Sequence, residues 1–140
     1  LKLTRMKKNI GIWIDSNKAV IIILSNNTHS LKIIESNIVF RERVEGETKK
    51  YGRFGGQYLT YEKNRENRRN ELTNLFFKKL VKEISNCNAI VLFGPSTMKI
   101  QFEKEIKKNM QIADKLVGTY NSDSITENQM VAWVKDCYNK

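Results

Sequence analysis

One tripeptide in this sequence has the makings of a reactive site, Gly55-Gly56-Gln57. Two adjacent glycines let the backbone adopt positive φ and press close to a ligand, because no Cβ intervenes. The Gln57 side chain brings amide donors and an acceptor, and its backbone N–H can face an oxyanion developing on a carbonyl. None of these groups titrates, so the chemistry they suit is positioning plus electrostatic stabilisation, not general acid–base transfer. The same Gly-Gly pair also fits a two-residue hairpin turn, with Gln57 as a polar neighbour.

Other residue types set limits. The single His29 lies in the polar cluster Ser25-Asn-Asn-Thr-His-Ser30 and reads as a solvated loop residue. That leaves no basis for histidine-dependent hydrolysis or a zinc centre, and no metal site is expected. Cys87 and Cys137 are far apart and lack CxxC partners, so they read as reduced, buried or half-buried thiols. A two-metal nuclease would need several converging carboxylates. Asp15 ends the first strand, but Glu35, Asp123 and Asp136 make a poor remainder, and Asp15 reads first as a turn-former. The run Gly94-Pro95-Ser96-Thr97 with Lys99 could hold a phosphate at a helix start, or be a capped turn with Ser96 as N-cap.

The elements that must position these residues are legible from periodicity. Ile10–Asp15, Ala19–Leu24 and Leu31–Phe40 read as three strands in an antiparallel meander, the second covered on both faces. Residues 41–60 form a glycine-punctuated loop carrying the tripeptide, long enough to suggest function. A helix is expected from Tyr61, with Leu72, Leu75, Phe76, Leu80 and Ile84 as its apolar stripe and Glu62 to Asn70 projecting beyond the core. A buried strand Ala89–Phe93 follows, then a helix from the Ser96 cap to Lys108 with Ile100, Phe102 and Ile106 inward. The chain closes with a strand Lys115–Tyr120 and a helix opened by the capping box Thr126-Glu-Asn-Gln129 and packed by Met130, Val131, Trp133 and Val134. The order βββαβαβα implies an α/β fold in a single domain over residues 1–140: a mixed five-stranded sheet with helices on both faces. Residues 1–8 read as an extension or disordered. This element order is that of ribonuclease-H-like domains.

The segment Tyr51-Gly-Arg-Phe-Gly-Gly-Gln-Tyr-Leu-Thr-Tyr-Glu-Lys-Asn-Arg-Glu-Asn-Arg-Arg69 resembles the GGQ loop and Arg-rich helix start of the middle domain of archaeal and eukaryotic class-1 peptide-chain release factors, a domain also found in Pelota-like proteins. Ala89-Ile-Val-Leu-Phe-Gly-Pro-Ser-Thr-Met-Lys99 resembles that family's later strand-to-helix segment. The Gly11-Ile-Trp-Ile-Asp15 opening, Gly94-Pro95 and Thr126-Glu-Asn-Gln-Met-Val-Ala132 are similar to small bacterial stand-alone relatives. The resemblance runs from about Lys8 onward and implies a ribonuclease-H-like fold. It also implies Gly55, Gly56 and Gln57 as catalytic residues for peptidyl-tRNA ester hydrolysis, and large-subunit rRNA and peptidyl-tRNA as partners, with no cofactor. Many stand-alone relatives keep the fold without a complete GGQ, so a catalytically silent rRNA- or tRNA-binding module is the alternative. A ribonuclease-H-like nuclease is a more distant one. Because 140 residues leave no room for codon-reading or recruiting domains, rescue of stalled ribosomes or split subunits is the expected setting.

Charge agrees with a polyanionic partner. Lys and Arg number 25 against 15 Asp and Glu, a net +10. Nine basic against five acidic residues fall within 41–69. Of these, Lys49, Lys50, Arg53, Lys63, Arg65, Arg68 and Arg69, with Arg41 and Arg43, are candidate phosphate contacts; Tyr51, Phe54, Tyr58 and Tyr61 could stack on bases. The composition, 40% hydrophobic, fills one core and argues against a disordered tail. No apolar run approaches the roughly 18 residues of a spanning helix. The N-terminus shows no secretory pattern, so a cytoplasmic location without membrane association is expected. Oligomeric state is not legible.

Overall fold

A computed structural model describes residues 8–26, 28–38 and 55–139, with only the backbone of residues 55–61. Five strands, β1 (Lys8–Ile14), β2 (Lys18–Ser25), β3 (Thr28–Glu35), β4 (Ala89–Gly94) and β5 (Leu116–Asn121), form one sheet in the order β3-β2-β1-β4-β5. The meander pairs antiparallel; β1 with β4 and β4 with β5 pair parallel, as strand–helix–strand passages require. The helices are α1 (Gly55–Ile84), α2 (Met98–Lys108) and α3 (Glu127–Tyr138). The mixed α/β sheet with helices on both faces is therefore as the sequence implies.

Alternation along the central strands sorts the core. Ile10, Ile12, Ile14, Ala19, Ile21, Ile90 and Leu92 face α1 and α2, where they meet Phe76, Phe77, Leu80, Ile84, Phe102 and Ile106. Trp13, Val20, Ile22 and Phe93 point the other way, against Met130, Val131 and Val134 of α3. At Gly11 the backbone touches Val134 so closely that a Cβ would overlap it, so α3 lies directly on β1. The Tyr138 hydroxyl secures the same contact by donating to the Ile10 carbonyl at 2.7 Å, and burial pushes its pKa well above the ordinary tyrosine range. Both cysteines are free thiols, Cys87 buried and Cys137 half-buried.

Several boundaries differ from the sequence expectation. β1 begins at Lys8, inside the expected extension, where its N–H donates to Asn88 Oδ1 at 2.7 Å. β3 starts at Thr28 and ends at Glu35, not Leu31 to Phe40: Ser25 pairs with Thr28, and Asn26 takes the left-handed conformation (φ 55°) of a tight hairpin. His29 is thus an exposed residue of an edge strand, opposite Leu24, and not a loop residue. α2 starts at Met98 with Thr97 as N-cap, although Ser96 Oγ still accepts from the Met98 N–H at 3.3 Å. Ile100, expected inside, is 41% exposed, and Met98 takes its place on the buried stripe. On α1, Leu75 is likewise 55% exposed and Phe77 is buried instead. The last strand begins one residue late, after a 3-10 turn over Ala113–Lys115. The capping box of α3 is formed: Gln129 N–H donates to Thr126 Oγ1 at 3.2 Å, and Thr126 N–H to Gln129 Oε1 at 2.9 Å. Among the described residues no helix is long and apolar enough to cross a membrane.

Candidate functional site

The sequence places the tripeptide in a loop and starts the helix at Tyr61; the structure starts α1 at Gly55, so Gly55, Gly56 and Gln57 form its first turn. The helix has 30 residues, and among its described side chains the first that is buried is Phe76. At 1.5 Å per residue the tripeptide sits roughly 30 Å along the axis from that anchor. Between them Lys63, Asn64 and the stretch Glu66–Glu71 are exposed, while Glu62 and Arg65 are half-buried. The stretch Glu62–Glu71 is a polar arm of α1: none of its residues is apolar, so it adds nothing to the hydrophobic core.

Spacing along the arm also sorts its charges. Arg65 and Arg69 precede Leu72, Phe76 and Leu80 at steps of three and four, so they continue the ridge that packs on the sheet farther along. Arg68 lies beside them and Lys63 across the helix. The structure thus groups three of the expected RNA-contacting arginines on one face below the tripeptide. Lys49, Lys50, Arg53, Arg41, Arg43, Tyr51 and Phe54 lie outside the described residues, as do the side chains of Gln57, Tyr58 and Tyr61. No acidic residue occupies the first turn of α1, where the helix dipole and up to four backbone N–H groups lacking an intrahelical partner favour negative charge.

No sequence signal singled out the groove between the far half of α1 and the end of α2. It encloses about 620 Å³ and is lined by Lys78, Val81, Glu105, Lys108, Asn109, Met110 and Gln111. Its lysines belong to the runs Lys78-Lys79 and Lys107-Lys108, which extend the basic surface away from the arm.

The rival constellation resolves differently. Asp15 Oδ1 accepts from Asn17 N–H at 2.8 Å and Lys18 N–H at 2.9 Å, closing the β1–β2 turn. Glu35 is exposed at the end of β3. Among the described residues no group of three or more His, Cys, Asp or Glu side chains could hold a metal ion. Asp15→Ala should cost about 1–2 kcal/mol, read by urea unfolding, because two turn amides lose their acceptor. At the start of α2 the Lys99 ammonium is buried and donates to the Ser96 carbonyl at 2.8 Å, so its geometry serves the turn.

A crystal structure of the archaeal translation termination factor aRF1 superposes on 94% of this chain with a TM-score of 0.55 and 12% identity. The two share a fold. The chain spans 39% of the length of that factor. No family model matches the sequence, and no curated protein matches it.

Proposed function

We propose that this chain is a cytoplasmic translation factor that binds the ribosome through its basic face and promotes hydrolysis of the peptidyl-tRNA ester through Gly55, Gly56 and Gln57. What supports the reading is the tripeptide in the first turn of α1, ahead of the arginines of its polar arm, in a fold shared with a translation termination factor. A site walled by RNA is reached only by something narrow. A single helix about 10 Å across, begun by two residues lacking side chains, suits that need.

At the ester, the Gln57 amide would orient the attacking water, and backbone N–H groups of the first turn would meet the oxyanion. The positive end of α1 adds to that stabilisation. Arg65, Arg68, Arg69 and Lys63 would neutralise phosphates along the arm, together with Lys49, Lys50 and Arg53 of the segment before it.

The helical backbone at Gly55 and Gly56 favours a second reading, because that conformation is open to any residue and does not itself call for glycine. On that reading the chain binds rRNA or tRNA without hydrolysis. Adding the purified chain to ribosomes or split large subunits loaded with labelled peptidyl-tRNA distinguishes the two. Release of peptide without puromycin is expected. Co-sedimentation should fall steeply as salt rises, since each neutralised phosphate contributes to the slope. Binding without release under any condition supports the silent module, and failure to co-sediment overturns both readings.

A further inference from the structure

The sheet has two edges, and they differ. On β3, Lys32 reaches across to Glu83 of α1 at 2.5 Å, so a charge pair guards that side. β5, Leu116-Val-Gly-Thr-Tyr-Asn121, has no charge and no proline, the two devices that usually discourage pairing at an edge. Among the described residues nothing pairs with its outer side. Beside it, β5 and α3 enclose a cleft of about 430 Å³ lined by Val117, Tyr120, Trp133, Asp136 and Cys137. Trp133 is held by a parallel stack on Phe93, with centroids 4.0 Å apart and planes 8° apart. Tyr120 leans on it at 5.7 Å and 59°. Val117 and Tyr120 remain 56% and 45% exposed, apolar surface that the fold leaves uncovered.

The cleft lining holds one carboxylate, Asp136, and no base, and the stretch of sequence that supplies it is less basic than the rest. Residues 113–140 carry four acids against three bases, a net −1, whereas residues 1–112 carry 22 bases against 11 acids, a net +11. We propose that this cleft docks an extended basic segment of a partner protein, which adds to β5 as a sixth strand and lays an arginine or lysine over Trp133 and Tyr120 toward Asp136. Backbone pairing along a strand edge supplies affinity, and the aromatic pair with its carboxylate selects a cation. Nucleic acid is disfavoured by the sign of the charge. A second copy pairing through its own β5 brings no cation, since that strand has none. The site lies on the sheet face opposite α1 and does not depend on release activity.

Titrating the isotope-labelled full chain with a short blocked peptide alternating valine and arginine tests this by nuclear magnetic resonance. Shifts should concentrate on the Val117–Asn121 amides and the Trp133 indole N–H. Tyr120→Ala should weaken binding about fivefold and Asp136→Lys at least as much, with unfolding midpoints unchanged; Trp133 is left intact because its stack on Phe93 supports the core. The same peptide with glutamate for arginine should not bind. Shifts elsewhere, no shifts, or equal binding by Asp136→Lys would overturn the proposal. An oligouridylate that moves the same resonances would show a nucleic-acid site instead, and concentration-dependent pairing through β5 would show a self-association edge.

Discussion

Gly56→Ala should reduce peptide release by roughly 100-fold or more while leaving the fold as stable as before or slightly more so. The two effects have opposite signs because they arise in different places. At the tip, a methyl group enters the space where backbone and ester must approach within hydrogen-bond reach, and losing one well-placed donor to an oxyanion costs about two to three orders of magnitude. Within the helix, alanine is the better residue: glycine there is less favourable by up to about 1 kcal/mol. Position 56 is also roughly 30 Å along α1 from Phe76, too far for the core to register the change. Release assays and urea unfolding on the same preparation should therefore move apart. Unchanged release by Gly56→Ala would remove the tripeptide from the reaction, and the silent RNA-binding reading would stand.

The order of strands and helices along the chain was legible because the β-branched run Ala19–Leu24 and the Thr126/Gln129 capping box are strong local signals, and a mixed sheet follows from the strand–helix–strand passages. Helix phase was harder to read. Leu75 and Phe77 both border the stripe of α1, and only contact with the sheet decides that Phe77 goes in and Leu75 stays out. The hairpin at Asn26 was hidden because asparagine adopted the left-handed turn usually signalled by glycine, leaving His29 seemingly in a loop. The helix start was missed because two glycines read as a break, although helical backbone is open to them. The candidate site was legible as a motif and a charge pattern. The arm was legible as a stretch without apolar anchors, but its arginine ridge appears only once Leu72, Phe76 and Leu80 are known to face the sheet. The β5–α3 cleft had no local signal, since Tyr120 and Trp133 meet only through packing.

Phe76→Ala should destabilise the protein by about 3–5 kcal/mol, whereas Leu75→Ala, one residue away, should cost less than about 1 kcal/mol. Phe76 is fully buried, packs with Phe77 at a centroid distance of 6.0 Å, and belongs to the cluster that joins α1 to β1, β4 and α2. Removing its ring leaves a cavity in a core that relaxes only in part, while Leu75 loses little that was not already in water. Against a total stability of about 5–15 kcal/mol for a domain of this kind, the loss at Phe76 leaves a substantial unfolded fraction on warming. The functional consequence is distinct from that at Gly56. Release by Phe76→Ala should fall only in proportion to the folded fraction and recover on cooling to the temperature of greatest stability, since the tip itself is intact. Release by Gly56→Ala should not recover at any temperature. If Phe76→Ala stays inactive at a temperature where circular dichroism shows it folded, then the first buried contact of α1 governs the aim of the arm as well as its attachment.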